Sequence, residues 1–156
     1  MTQDFADFLE CLNSEGVAYA VIGAMAVLSY VPYRTTRDLD VLIEPTLENG
    51  ERARRAVTRW AGAEPAFSAE EFVDGDILSF GGLLRVEIHS DVPGANWEQV
   101  ERHRKRGELL GVPTWFAGID QLIAMKEATD RPDKDAPDVQ RLRRAKEGGT
   151  RRGDAD

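Results

Sequence analysis

Apolar positions recur with two different periods along the chain. In "TQDFADFLECLNSEG" (2–16), Phe5, Phe8, Leu9 and Leu12 share one helix face, Thr2 can cap it and Gly16 ends it. "VAYAVIG" (17–23) is a continuous apolar run of strand length, and "AMAVLSYV" (24–31) a short apolar helix. "LDVLIEP" (39–45) predicts a second strand, stopped by Pro45. "TLENGERARRAVTRW" (46–60) predicts a helix capped by Thr46, with Gly50 weakening its first turn.

Residues 61–76 carry no period. "DILSFGGLLRVEIHSDV" (76–92) alternates around Gly81-Gly82, the pattern of a hairpin, and Pro93-Gly94 breaks it. "NWEQVERHRKRG" (96–107) predicts a polar helix and "LLGVPTWFAG" (109–118) a short strand region. "IDQLIAMKEATD" (119–130) and "PDVQRLRRAKEG" (137–148) close the chain as helices. The pattern predicts an α+β or mixed α/β domain over residues 1–147, with a small sheet and its last helices together. The composition of 148–156 predicts a disordered tail. We find no internal repeat.

The 156 residues, 42% apolar and 31% charged, suit one globular domain. No apolar run approaches the roughly 20 residues that span a bilayer, so no membrane role is expected. The opening segment is acidic and amphipathic, unlike a signal or transit peptide. Cys11 is the only cysteine, which excludes an internal disulfide or a cysteine-based zinc site and suits the cytoplasm.

A net charge of −8 and a pI of about 4.9 oppose broad binding to nucleic acid, which depends on neutralising phosphates. Cations nonetheless bunch at 51–59, 101–106, 140–146 and 150–152. Each bunch reads either as a solvated helix face or as part of a basic face for a phosphate-bearing ligand.

The chemistry concentrates in "YRTTRDLDVLIEP" (33–45). Strand side chains alternate, so Asp38 and Asp40 share a face while Leu39, Val41 and Ile43 point to the other layer. Two such carboxylates repel unless a cation lies between them, and a hard divalent ion such as Mg2+ or Mn2+ fits. A bare Asp-x-Asp is more often a solvated pair at a strand end. Gly23 stands where a strand turns into a helix, a place that suits a phosphate or simply close packing. Arg34 and Arg37 flank the acids, as phosphate ligands or as counter-charges. In "LLRVEIHS" (83–90), Arg85, Glu87 and His89 share a face, and Glu87 needs either a metal or an arginine partner. His89 could touch a phosphate or fill the sheet edge. His103, among arginines, reads as surface, and Trp60, Trp97 and Trp115 read as core.

Gly23, a short helix, then Arg34-x-Thr36-x-Asp38-x-Asp40 and a carboxylate on a later strand resemble the nucleotidyltransferase fold of the DNA polymerase β superfamily. Further on, Lys126, Arg131, Lys134, Asp135 and Asp138 are similar to the tail motif of AbiEii-like and related small bacterial enzymes, several of them toxins of toxin–antitoxin pairs. The resemblance spans roughly residues 17–145. It implies metal-dependent transfer of a nucleoside monophosphate from a nucleoside triphosphate such as ATP to an acceptor hydroxyl. In that reading Asp38, Asp40 and Glu87 hold the metal. Gly23, Ala24, Arg34, Thr36 and Arg37 contact the triphosphate, and Lys126 and Asp135 line the pocket or form a structural ion pair. The acceptor could be RNA or a tRNA end, a protein or a small molecule, and a cognate antitoxin is a further partner. Ala24 replaces the second Gly or Ser usual in the family, and Glu87 often an Asp. The alternative is a catalytically silent domain of this fold that acts through a protein partner.

Overall fold

The computed structural model describes residues 4–30, 36–129 and 132–155, with side chains omitted at 132–136 and 149–155. Helix α1 (Phe5–Ser14) buries Phe5, Phe8, Leu9 and Leu12, the face that the spacing predicts. Its cap is Asp4, whose carboxylate accepts the Asp7 N–H at 2.7 Å, a bond that satisfies an otherwise unpaired first-turn donor. Thr2 lies outside the described residues. Strand β1 (Tyr19–Ile22) is buried at all four positions and leads directly into α2 (Gly23–Leu28).

Strand β2 (Asp38–Ile43) follows, then α3 (Leu47–Ala61), capped by the Thr46 hydroxyl. Gly50 lies within this continuous helix for a packing reason: a Cβ there would stand 2.7 Å from the Ala69 carbonyl oxygen. The irregular segment after α3 therefore lies directly on the helix, with one 3-10 turn at Glu71–Val73. Buried Asn49 ties α3 to the sheet. Its amide donates to Ala18 O and Glu44 O and its oxygen accepts from Ala18 N, so the buried polar group is satisfied.

Strands β3 (Leu78–Gly81) and β4 (Arg85–His89) form the predicted hairpin. Helix α4 (Trp97–His103) opens with a capping box between Asn96 and Gln99. It stops at His103, earlier than its polar sequence predicts. Lys105–Leu109 is instead strand β5, paired antiparallel with β6 (Val112–Phe116) through a turn at Leu110 and Gly111, both at positive φ. Helices α5 (Ile119–Glu127) and α6 (Pro132–Ala155) complete the chain. Helix α6 continues through residues 148–155, where composition predicts disorder.

The six strands form one mixed sheet in the order β3-β4-β2-β1-β6-β5. β1 runs antiparallel to β2 and parallel to β6, and β2 runs parallel to β4. Leu39, Val41 and Ile43 are buried on one face of β2, as alternation predicts, and join Phe8, Leu12 and Val57 in the core. The other face carries the polar residues of β2 and β4. Helix α2 packs on β2 and touches α5, and α5 packs on α6. This mixed α/β architecture matches the predicted class. Among the described residues, no helix is long and apolar enough to cross a membrane.

Candidate active site

The parallel register of β2 and β4 builds the site. Asp38 lies beside Arg85, Asp40 beside Glu87 and Leu42 beside His89. Alternation then turns Asp38, Asp40, Arg85, Glu87 and His89 to one face. His89 Nε2 stands 2.9 Å from Asp40 Oδ1 and 3.9 Å from Glu87 Oε2. One ligand atom from each of Asp40, Glu87 and His89 lies within 4.8 Å of the other two. All three side chains are largely enclosed, His89 being 12% exposed.

Asp38 is drawn elsewhere. Its Oδ1 is 3.4 Å from Arg85 Nε, which is also 4.0 Å from Glu87 Oε1. The sequence treats the two aspartates as equals, but the structure makes Asp40 the inner one and gives Asp38 to an arginine. Burial, and then the neighbouring Asp40 carboxylate, raise the pKa of Glu87 above the ordinary Glu value; His89 opposes this and Asp38 adds to it. Glu87 thus holds a proton more readily than a free carboxyl does, the signature of acids crowded without a full counter-charge.

Gly23 has a more specific task than its place before a helix suggests. Its φ is +67°, and a Cβ there would stand 2.7 Å from Asp40 Oδ2. Glycine therefore supplies the left-handed turn and also the room that Asp40 occupies. Thr36 braces the entry to β2, its hydroxyl accepting the Asp38 N–H at 3.2 Å.

A cleft of about 500 Å³ opens over these residues. Gly23, Ala24 and Thr36 line one side and Leu122, Met125 and Lys126 the helical side. Lys126 Nζ lies 3.3 Å from Asp138 Oδ2, and Arg141 Nη1 3.8 Å from Asp138 Oδ1; the Asp138 side chain is fully buried. Lys126 therefore borders the cleft and belongs to an ion pair at once. Asp135 lies in α6, but its side chain is outside the described residues, as are Arg34 and Arg131 altogether. Arg37 is exposed; its carbonyl accepts the Arg85 N–H at 2.9 Å.

The basic bunches are largely occupied away from the cleft. Arg55 and Arg59 reach Glu15, Lys146 reaches Asp120, and Arg143 pairs with Glu127. Arg104 lies over the rings of Trp115 and Trp97, 4.1 and 5.7 Å from their centres. Trp60 is buried, and its indole N–H donates to Asp4 O. His103 is exposed, as its sequence context predicts.

No protein-family model matches the sequence, and no curated protein matches it. The structure is similar to the crystal structure of an antigenic nucleotidyltransferase-like protein from Paracoccidioides brasiliensis. The TM-score is 0.56 at 13% sequence identity, covering 90% of this chain and 74% of that one. The chain therefore adopts a nucleotidyltransferase-like fold, a statement about architecture and not about activity.

Proposed function

We propose that the chain is a metal-dependent nucleotidyltransferase that moves a nucleoside monophosphate from a nucleoside triphosphate to an acceptor hydroxyl. The observation that carries this reading is the convergence of Asp40 and Glu87 from adjacent strands in a cleft bordered by Lys126. Their donors suit a divalent cation such as Mg2+ or Mn2+, because two crowded carboxylates gain most from a charge placed between them. Asp40 and Glu87 would hold it, with Asp38 at the open edge if Arg85 releases it. When bound, the cation would polarise the α-phosphate and lower the pKa of the attacking hydroxyl.

The chain's own residues would do the rest. Lys126, held by Asp138, would place a positive charge against the triphosphate. Gly23 and Ala24 would bring backbone to the lip of the cleft. The acceptor oxygen forms a bond to the α-phosphorus, the α–β bridge breaks, pyrophosphate leaves, and the acceptor proton passes to solvent or a cleft carboxylate. An RNA end, a protein hydroxyl and a small molecule all fit this reaction as acceptors; a toxin with a cognate antitoxin is the cellular setting that the tail motif favours.

One observation favours the silent alternative: Arg85 already neutralises Asp38, as a domain without a metal would do. Incubation with each labelled triphosphate, Mg2+ or Mn2+, and total cell RNA or protein separates the two. We expect label on a macromolecule, lost in Asp40→Asn. Absence of transfer together with absence of any metal-dependent triphosphate binding would overturn the proposal.

A further inference from the structure

We propose that His89 is a direct ligand of the bound cation, so that Asp40, Glu87 and His89 form a mixed nitrogen–oxygen site that favours Mn2+ or another transition-metal ion over Mg2+. The inference deepens the metal-dependent reading of the same cleft and rests on it only in taking that cleft as a cation site.

The geometry leaves room for one ion shared by the three side chains. Ligand atoms about 2.1 Å from one octahedral centre stand about 3.0 Å apart when adjacent and about 4.2 Å apart when opposite. His89 Nε2 lies 2.9 Å from one carboxylate and 3.9 Å from the other, within that range. The imidazole is mostly enclosed, with its Nε2 turned toward the two acids. β4 fixes this arrangement, since Glu87 and His89 are two residues apart on one strand face. The second aspartate of the β2 pair is engaged by Arg85. Among the described His, Cys, Asp and Glu residues, the third donor grouped with Asp40 and Glu87 is therefore a nitrogen.

That substitution changes the chemistry of the site. Mg2+ takes oxygen donors and keeps much of its water, whereas imidazole suits Fe2+, Ni2+ and Zn2+; Mn2+ suits the two carboxylates and, as a transition metal, accepts a nitrogen more readily than Mg2+ does. A competing account gives His89 a purely local role, as a hydrogen-bond partner that steadies Asp40. Under it, the metal would never see nitrogen.

The test uses the full chain with metal alone, without nucleotide. Mn2+ is titrated and followed by electron paramagnetic resonance, with pulsed detection of nitrogen coupling; Mg2+ binding is measured by calorimetry. We expect nitrogen coupling on the bound Mn2+ of the wild-type protein. In His89→Gln, which keeps a hydrogen-bonding side chain, we expect Mn2+ affinity to fall about tenfold or more while Mg2+ affinity changes little. Bound Mn2+ without nitrogen coupling overturns the proposal, and so does unchanged Mn2+ affinity in a folded His89→Gln. Failure of the wild-type protein to bind Mn2+ overturns it as well. The wild-type measurement stands even if the variant does not fold. Nitrogen coupling in a protein that neither transfers nucleotide nor binds triphosphate in a metal-dependent way would uphold this site and defeat the proposed reaction. Transfer with Mg2+ and with no nitrogen coupling would do the reverse.

Discussion

A buried aspartate behind the cleft-lining Lys126 and the acidic pair on the sheet are matched in opposite ways. On α6, Asp138 is wholly buried, and the chain supplies its counter-charges from Lys126 and Arg141. On the sheet, Asp40 and Glu87 stand together with an imidazole, while the nearby arginine favours Asp38. A buried acid that serves the fold is matched by cations from the same chain, because an unmatched one is costly. A crowded pair, with Glu87 pushed toward its protonated form, would gain from a charge supplied from outside. The contrast separates an internal fastening from the proposed binding site within one small domain.

The largest effect should come from breaking the internal fastening. Asp138→Asn leaves Lys126 without its buried partner and should cost about 3–5 kcal/mol. In a chain of this size that is a fall in Tm on the order of 10 °C, read by thermal denaturation. A change of less than a degree would show that the pair is not structural.

The sheet cluster should respond to ligand instead. Triphosphate with Mn2+ or Mg2+, at about a hundredfold excess over its Kd, should stabilise the chain by about 2.7 kcal/mol. Chelator or Asp40→Asn should abolish the shift, and an equal shift in chelator would point to binding by basic side chains alone. Gly23→Ala should cost less, about 1–2 kcal/mol for a left-handed alanine. It should also displace Asp40, so metal affinity should fall more than stability does; calorimetry beside denaturation checks this.

The smallest effect sharpens the comparison by its sign. Glu87 has a folded-state pKa above its ordinary value of 4.5, so its ionisation at neutral pH weakens the metal-free fold. That penalty is present above the folded value and vanishes below the ordinary one. Glu87→Gln should therefore melt slightly higher than wild type at neutral pH without metal, and equally at acid pH. Denaturation across pH with chelator present would show a lower Tm at neutral pH if Glu87 instead anchors the fold through Arg85.

Much of the sheet was legible because its central strands are buried on a regular alternation. Leu39, Val41 and Ile43 announce β2, and Val86 and Ile88 announce β4. β5 was not legible. It is an edge strand with Lys105, Arg106 and Glu108 exposed, so its polar sequence continues the rhythm of α4. Of the site, alternation gives which side chains share a face within a strand. It does not give the register between strands, which decides that Arg85 meets Asp38 and that Glu87 and His89 meet Asp40. Likewise, Asp138 belonged to a recognisable motif, but its pairing with Lys126 depends on how α6 folds back on α5. The clearance that Asp40 requires at Gly23 is a matter of two backbones in space, and no local sequence signal reports it.

The parallel pairing of β2 with β4 also has a kinetic meaning. Asp38 and Arg85 are 47 residues apart in sequence, with α3 and β3 between them. Closing that stretch of chain costs entropy before any contact compensates for it, so contacts of this kind form with the sheet and not ahead of it. A freshly made or denatured chain has Asp40 in one neighbourhood and Glu87 and His89 in another. A cation that needs all three can therefore neither nucleate folding nor linger on unfolded chains. It would capture finished molecules, add its binding energy to them and slow their unfolding.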